Sequence, residues 1–234
     1  MLKYGKMKQL FSGIKIGIHE DLYVKDPESS ALGKKIVEKS IVLIDEIGFD
    51  SFTFKKLGAE IGSNESSIYR YFENKHKLLL YLTSWYWAWK EYQLVFSTNN
   101  IEDPRQVLET AINVLTRRIK KDNLTTHIDE VLLNKLVVNE FSKSYLTKEV
   151  DKENKEGFFE IYSRLILRLK KMILAVNSDY PYAGALASTV VEGGLHQHYL
   201  REHFPALTEC NENLSPADYF NFLVLSTLKY NGNG

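Results

Sequence analysis

Apolar residues along this chain recur three and four apart, so the pattern predicts helices rather than strands. The first helix opens at Asp26-Pro27-Glu28, where a capping aspartate, a proline at the first helical position and an acid in the first turn coincide. Leu32, Ile36, Ile41, Ile44 and Ile47 carry it to Gly48, a natural C-terminal stop. Asp50-Ser51-Phe52 forms a link, and Thr53 stands where it can cap the next helix. Leu57 and Ile61 then share one helical face, and Ile68 and Phe72 repeat the spacing after a break. Gly62 sits in that break, where a turn needs a positive φ, and Asn64 can cap the following helix through its side-chain oxygen. That helix is expected to present Ser66, Ser67, Tyr69, Arg70 and Tyr71 outward. A small, hydrogen-bonding end followed by Arg and Tyr suits a helix that enters the DNA major groove.

The rest of the chain keeps the helical period. A long helix is expected from Asn74-Lys75-His76-Lys77 to about Phe96, with Leu78, Leu79, Leu82, Trp85, Trp89 and Tyr92 on its apolar side. Its aromatic run, Trp85 to Trp89, reads as core or as part of a ligand cavity. Asp103-Pro104 opens another helix through Val107, Leu108, Ile112, Leu115 and Ile119 to about Lys121, where Asp122-Asn123 breaks it. A helix from about Thr126 to Ser142 carries His127, Asn134 and Asn139 as polar candidates for a pocket wall. A long tract from Thr147 to about Val176 includes Tyr162 on its apolar half. The next, from about Pro181 to His203, holds two interior glycines, Gly193 and Gly194. Each costs about 1 kcal/mol relative to alanine, which close approach of another helix would justify. Ser215-Pro216 starts the last helix, which runs to about Lys229. Residues 1 to 25 are the least regular. Ile14, Ile16 and Ile18 alternate as in a short strand, Gly13 and Gly17 oppose it, and Lys3, Lys6 and Lys8 could form a basic arm. A loosely packed extension is the simpler expectation. No strand pattern follows residue 25, so the fold class expected is all-α.

Composition narrows the function classes. The 234 residues are 44% hydrophobic, enough for a proper core. Thirty basic and thirty acidic residues cancel, so any DNA contact must come from a local patch rather than from bulk charge. The single cysteine, Cys210, excludes a disulfide framework within the chain. No signal-peptide pattern and no membrane-length apolar run is present, so a soluble, cytoplasmic protein without membrane contact is expected.

Gly48, Phe49, Thr53, Leu57, Ala59, Ile61, Gly62, Ser67, Ile68, Tyr69, Tyr71, Phe72, Lys75 and Leu78 together resemble the DNA-binding domain of TetR-type transcriptional regulators. The likeness covers roughly residues 31 to 80, and its most specific part is Ile-Tyr-Arg-Tyr-Phe followed by Asn-Lys and then Leu. Gly58 and Ile61 depart from the small alanines usual in the family, Ser63 replaces a turn valine, and Ser66 takes a place often held by glycine or alanine. The resemblance implies an extension (1–30), a helix-turn-helix head (31–80) and a helical regulatory and dimerisation domain (81–234). It assigns Thr53, Tyr69, Tyr71 and Lys75 to phosphates, and leaves Ser66, Ser67 and Arg70 as the candidates for base edges. It further implies a homodimer on a palindromic site in double-stranded DNA and an unknown, largely apolar small-molecule effector. The residues suggested for that effector are Trp85, Trp89, Tyr92, His127, Asn139 and Tyr162.

Patterns for an enzyme or a cofactor are missing. There is no glycine-rich phosphate loop, no G-x-S-x-G and no H-E-x-x-H. His196 and His198 point about 160° apart on a helix and cannot share a metal, while Glu192 with His196, or His198 with Glu202, is half a site. No catalytic residue, metal or cofactor is therefore expected. The rival readings are a structural chromosome-binding protein with the same head, and an all-helical enzyme.

Overall fold

The computed structural model describes residues 16–119 and 127–229. The expected basic arm, Ile14 of the alternating stretch, the helix end at Lys120-Lys121, its break at Asp122-Asn123 and the helix start at Thr126 lie outside them. Among the described residues there are helices and no strands; residues 16–18 carry no regular structure. The helices are α1 (Ala31–Ser51), α2 (Phe54–Ile61), α3 (Glu65–Tyr69), α4 (Lys75–Thr98), α5 (Pro104–Thr116), α6 (Glu130–Glu140), α7 (Ser142–Tyr145), α8 (Val150–Lys155), α9 (Glu160–Val176), α10 (Ala183–His203) and α11 (Pro216–Lys229), with 3-10 turns at Glu20–Leu22, Pro27–Ser29 and Pro205–Leu207. The chain forms two compact units. The first takes residues up to Ala88 together with Ile119–Phe159; the second takes Trp89–Arg118 and Glu160 onward, so the division falls inside α4.

Local chemistry sets most boundaries in the first unit. Asp26 and Pro27 start a 3-10 turn rather than α1 itself, and Ser30 then caps α1 by accepting from Gly33 N–H at 3.0 Å. Gly48 leaves helical geometry at φ 74°, yet one further turn follows to Ser51. The N–H of Phe49, which that kink frees, donates to Glu140 Oε1 at 3.0 Å. Further polar contacts join residues 19–80 to the 127–159 segment. His127 meets Glu28 and His76 meets Glu153, each at 2.8 Å; Lys135 meets Asp45 at 2.9 Å. Lys143 bridges Asp50 at 2.7 Å and Glu140 at 2.8 Å, and its bond holds the Asp50 carboxyl below the usual range. Residues 19–24 are not a loose extension. Leu22 is fully buried, Val24 N–H donates to Tyr71 O, and His19 packs edge-on against Phe158. The aromatic run of α4 is core here, with Trp85, Tyr86 and Trp87 buried and Tyr86 Oη donating to Asn134 Oδ1 at 2.8 Å.

The second unit explains the interior glycines. A Cβ on Gly193 would lie 2.6 Å from the Phe220 ring, and one on Gly194 would lie 2.9 Å from Thr116 Cγ2, so α10 meets α11 and α5 at distances only glycine permits. The end of α5 comes at Thr116, short of the Lys121 expected from periodicity, because Arg117 turns extended (ψ 153°). The carbonyls left open at that end are met from other helices. Lys90 Nζ donates to Val114 O at 2.9 Å, and the His198 imidazole bonds Thr116 O at 2.8 Å. Burial, with the Arg117 charge adding to it, pushes the Lys90 ammonium down to about 7. Burial also lowers His198, against the pull of the Thr116 carbonyl. Glu91 is clamped by Arg164 through two nitrogens, at 2.9 and 2.7 Å, with Arg168 at 3.3 Å. Burial raises that carboxyl, but the two guanidiniums outweigh it and hold it below its usual range. The expected long tract from Thr147 is two helices, interrupted at Gly157 with φ 90°.

Two outcomes follow. Gly194→Val forces the Thr116 contact apart and should lower stability by about 1–3 kcal/mol in urea unfolding. Lys90 releases its proton more easily folded than unfolded, so between about pH 7 and pH 10 the unfolded chain binds more protons and stability rises with pH. Relative to Lys90→Met, the natural chain should gain a few kcal/mol, on the order of 2–4, across that range; parallel midpoints at every pH would refute the assignment.

Candidate nucleic-acid interface

The site is assembled by two helices too short to persist alone. α2 begins at Thr53, whose Oγ1 accepts from Lys56 N–H at 3.2 Å, and ends at Gly62 in the left-handed conformation (φ 67°, ψ 37°). The turn that follows lies directly on α2. A Cβ at Gly58 would stand 2.8 Å from Ser63 O, which gives the departure from alanine at Gly58 a steric reason. Asn64 then caps α3 through Ser67 N–H at 2.9 Å. Leu57, Ile61, Ile68 and Phe72 are buried between these elements, with Ile68 and Phe72 at 0% exposure.

The opposite side of α3 is bare. Ser66 and Arg70 are exposed, Ser67 is half-buried, and Tyr69 is 48% exposed with its ring edge-on to Phe54 at 5.0 Å. The Tyr69 hydroxyl donates to Glu65 Oε1 at 3.3 Å; desolvation, with the Glu65 charge adding to it, pushes that phenol above its usual range. Thr53, Lys55 and Lys56 are exposed nearby in sequence. Two expected site residues stand differently. Tyr71, expected outward, is 4% exposed: its hydroxyl and that of Ser30 are hydrogen-bonded at 2.8 Å, because α3 ends at Tyr69 and the chain turns back toward the core. Lys75 is half-buried, and its ammonium donates to the carbonyls of Phe49 (3.0 Å), Asp50 (3.1 Å) and Phe52 (3.2 Å) while lying over the Phe49 ring. Its three N–H groups thus tie the end of α1 to the start of α4.

The six residues suggested for an effector divide between the units. Trp85, His127 and Asn139 belong to the first; Trp89, Tyr92 and Tyr162 belong to the second. Trp85 and Trp89 are buried. Tyr162 Oη donates to Glu192 Oε1. Asn139 Oδ1 and His127 Nδ1 are buried with no hydrogen-bond partner among the described residues. Sequence spacing marks Asn64 only as a cap and gives Glu65 no role. The spacing of Asn64 with serines two and three residues on could have signalled more, because Asn64 Oδ1 also accepts from Ser66 Oγ (2.8 Å) and Ser67 Oγ (2.6 Å). Among the described residues no cluster of three metal-ligating side chains occurs, and no helix is long and apolar enough to cross a membrane.

Comparison with known proteins gives this geometry a context. Residues 36–82 match the family model described as bacterial regulatory proteins, tetR family. No curated protein sequence matches the chain. Solved structures of similar fold include the superantigen PfiT (18% identity, TM-score 0.58, 88% of this chain and 99% of that one). A bacterial regulatory protein of the tetR family from Rhodococcus RHA1 is also similar (13% identity, TM-score 0.57, 86% and 96%). So is AibR in complex with isovaleryl coenzyme A and operator DNA (14% identity, TM-score 0.53, 82% and 95%). At these identities the likeness is one of fold. The matched segment is the capped pair α2–α3 with the helices that hold it, so it is this head, residues 36–82, that matches the tetR family of bacterial regulatory proteins.

Proposed function

We propose that the chain is a transcriptional repressor that binds a palindromic operator as a homodimer and is released by a small, largely apolar ligand. The observation that carries this reading is the two-sidedness of α3, with Ile68 fully buried and Ser66, Tyr69 and Arg70 open to solvent. In it, residues 31–80 are the DNA-binding domain, 81–234 the regulatory and dimerisation domain, and 1–30 an extension. Thr53 and Tyr69 take phosphates, Arg70 takes a guanine edge, and Ser66 and Ser67 touch neighbouring bases. Tyr71 and Lys75 act beneath the interface, packing and tying the head. The protein works in the cytoplasm and is not an enzyme.

One short reading helix buries little surface, so two heads on a two-fold axis are needed, with half-sites about one turn of DNA apart. The exposure of Tyr219 (46%) and Phe222 (72%), three apart on α11, supports a second copy as partner. An effector that prefers one spacing of the two heads would shift the population away from the DNA-binding form. The AibR structure, in complex with isovaleryl coenzyme A and operator DNA, supports the binding of both a small molecule and DNA on this fold. In the first unit Trp85 and the buried polar atoms of His127 and Asn139 are the candidates a ligand would engage, and in the second unit Trp89, Tyr92 and Tyr162 are.

Selection of bound sequences from random duplexes should enrich a palindrome. Arg70→Ala should then relax the preference at one position in each half-site by about 1–3 kcal/mol; uniform weakening across all sequences would make Arg70 a phosphate contact instead. Asn139→Ala should leave operator affinity within about threefold while weakening the response to an identified effector by roughly tenfold, the loss of one buried hydrogen bond, read by titrating effector against the bound operator.

A further inference from the structure

The reading surface has a hydrogen-bond polarity of its own. Asn64 Oδ1 accepts three hydrogen bonds, from Ser67 N–H (2.9 Å), Ser67 Oγ (2.6 Å) and Ser66 Oγ (2.8 Å). A backbone N–H can only donate, so the Ser67 amide settles which way the carboxamide faces: the atom turned toward α3 is the oxygen. Both serine hydroxyls must then donate to it as well. A hydroxyl has one proton and two lone pairs. With their protons held by Asn64, Ser66 and Ser67 have only lone pairs left for a partner. The adjacent Glu65 carboxylate already accepts from Tyr69 Oη and adds no donor.

We propose that Ser66 and Ser67 read DNA as acceptors, taking the exocyclic amines of bases, cytosine N4 or adenine N6, in the major groove. These amines are the hydrogen-bond donors that base pairs present there, whereas guanine O6 and N7, adenine N7 and thymine O4 accept. A free serine hydroxyl serves either kind of partner and discriminates weakly. A serine whose proton is anchored must break a short internal bond before it donates, so acceptor atoms on the base edge are disfavoured. Asn64, which need not touch the DNA, is in this account a positioning residue for specificity. The inference rests on the DNA-reading role proposed above and specifies its chemistry.

The test begins with the duplex selected by the full-length protein. Single bases in it are replaced by analogues that lack one group: 2-pyrimidinone for cytosine and purine for adenine remove the amine, and 7-deazapurines remove N7. Affinities are measured for the natural chain and for Ser66→Ala, Ser67→Ala, Asn64→Ala and Asn64→Asp, with thermal melting of each. Amine removal at one or two positions of each half-site should weaken the natural chain roughly five- to tenfold and have no further effect in the matching serine variant. Asn64→Ala releases the serine protons and should blunt that sensitivity. Asn64→Asp keeps an oxygen that accepts all three bonds and should retain it, so the aspartate variant decides the matter should the alanine variant unfold. Insensitivity to amine removal everywhere, or a serine-dependent effect confined to 7-deaza positions, overturns this inference and leaves the regulator reading intact. Failure to enrich any duplex overturns both.

Discussion

A helix of five residues cannot hold itself together in water, and α3 is such a helix. One of its sides is bare, so its stability has to come from the other side and from its ends. Ile68 and Phe72 supply the buried side, Gly62 makes the turn into it, and the Asn64 side-chain oxygen accepts from the Ser67 amide in its first turn. Beneath it, Lys75 ties three carbonyls at the end of α1, and Gly58 lets the turn settle onto α2. The head is therefore a support for a short exposed segment, and its hydrophobic residues are placed to hold that segment still.

The same demand, that no backbone group be buried without a partner, shapes the second unit. Where α5 ends inside it, Lys90 from α4 and His198 from α10 meet the last carbonyls. A lysine buried in this way is held near its neutral form by desolvation, so the arrangement couples folding to pH near and above neutrality. In the first unit the kink at Gly48 frees the Phe49 amide, and Glu140 from α6 accepts from it. In both places an interrupted helix is completed by a side chain distant in sequence.

Features that depend on a few consecutive residues were legible from the chain alone. Thr53, Asn64 and Asp103 cap the helices they were expected to cap, and Gly62 takes the left-handed turn. Capping is a bond between neighbours, so the sequence carries it directly. Expectations failed where a distant partner decides. Tyr71, expected outward, is turned inward, its hydroxyl hydrogen-bonded to that of Ser30, 41 residues away. At Lys75 the distant partners are three carbonyls from the end of α1, which accept from its ammonium. The tract after Thr147 was read as one helix because its charges and apolar residues keep a helical period, and periodicity is blind to the break at Gly157.

By itself, then, the sequence determined that the chain is helical, where most of its helices begin, and that a tyrosine- and arginine-bearing helix follows a tight turn near Gly62. These follow from propensity, capping and spacing, all of which act over a handful of residues. Only the tertiary structure decided which of the outward candidates stay outward and what a side chain at Gly193 or Gly194 would meet. Those outcomes depend on atoms brought within about 3 Å of one another by folding, and geometry at that scale is absent from a linear pattern.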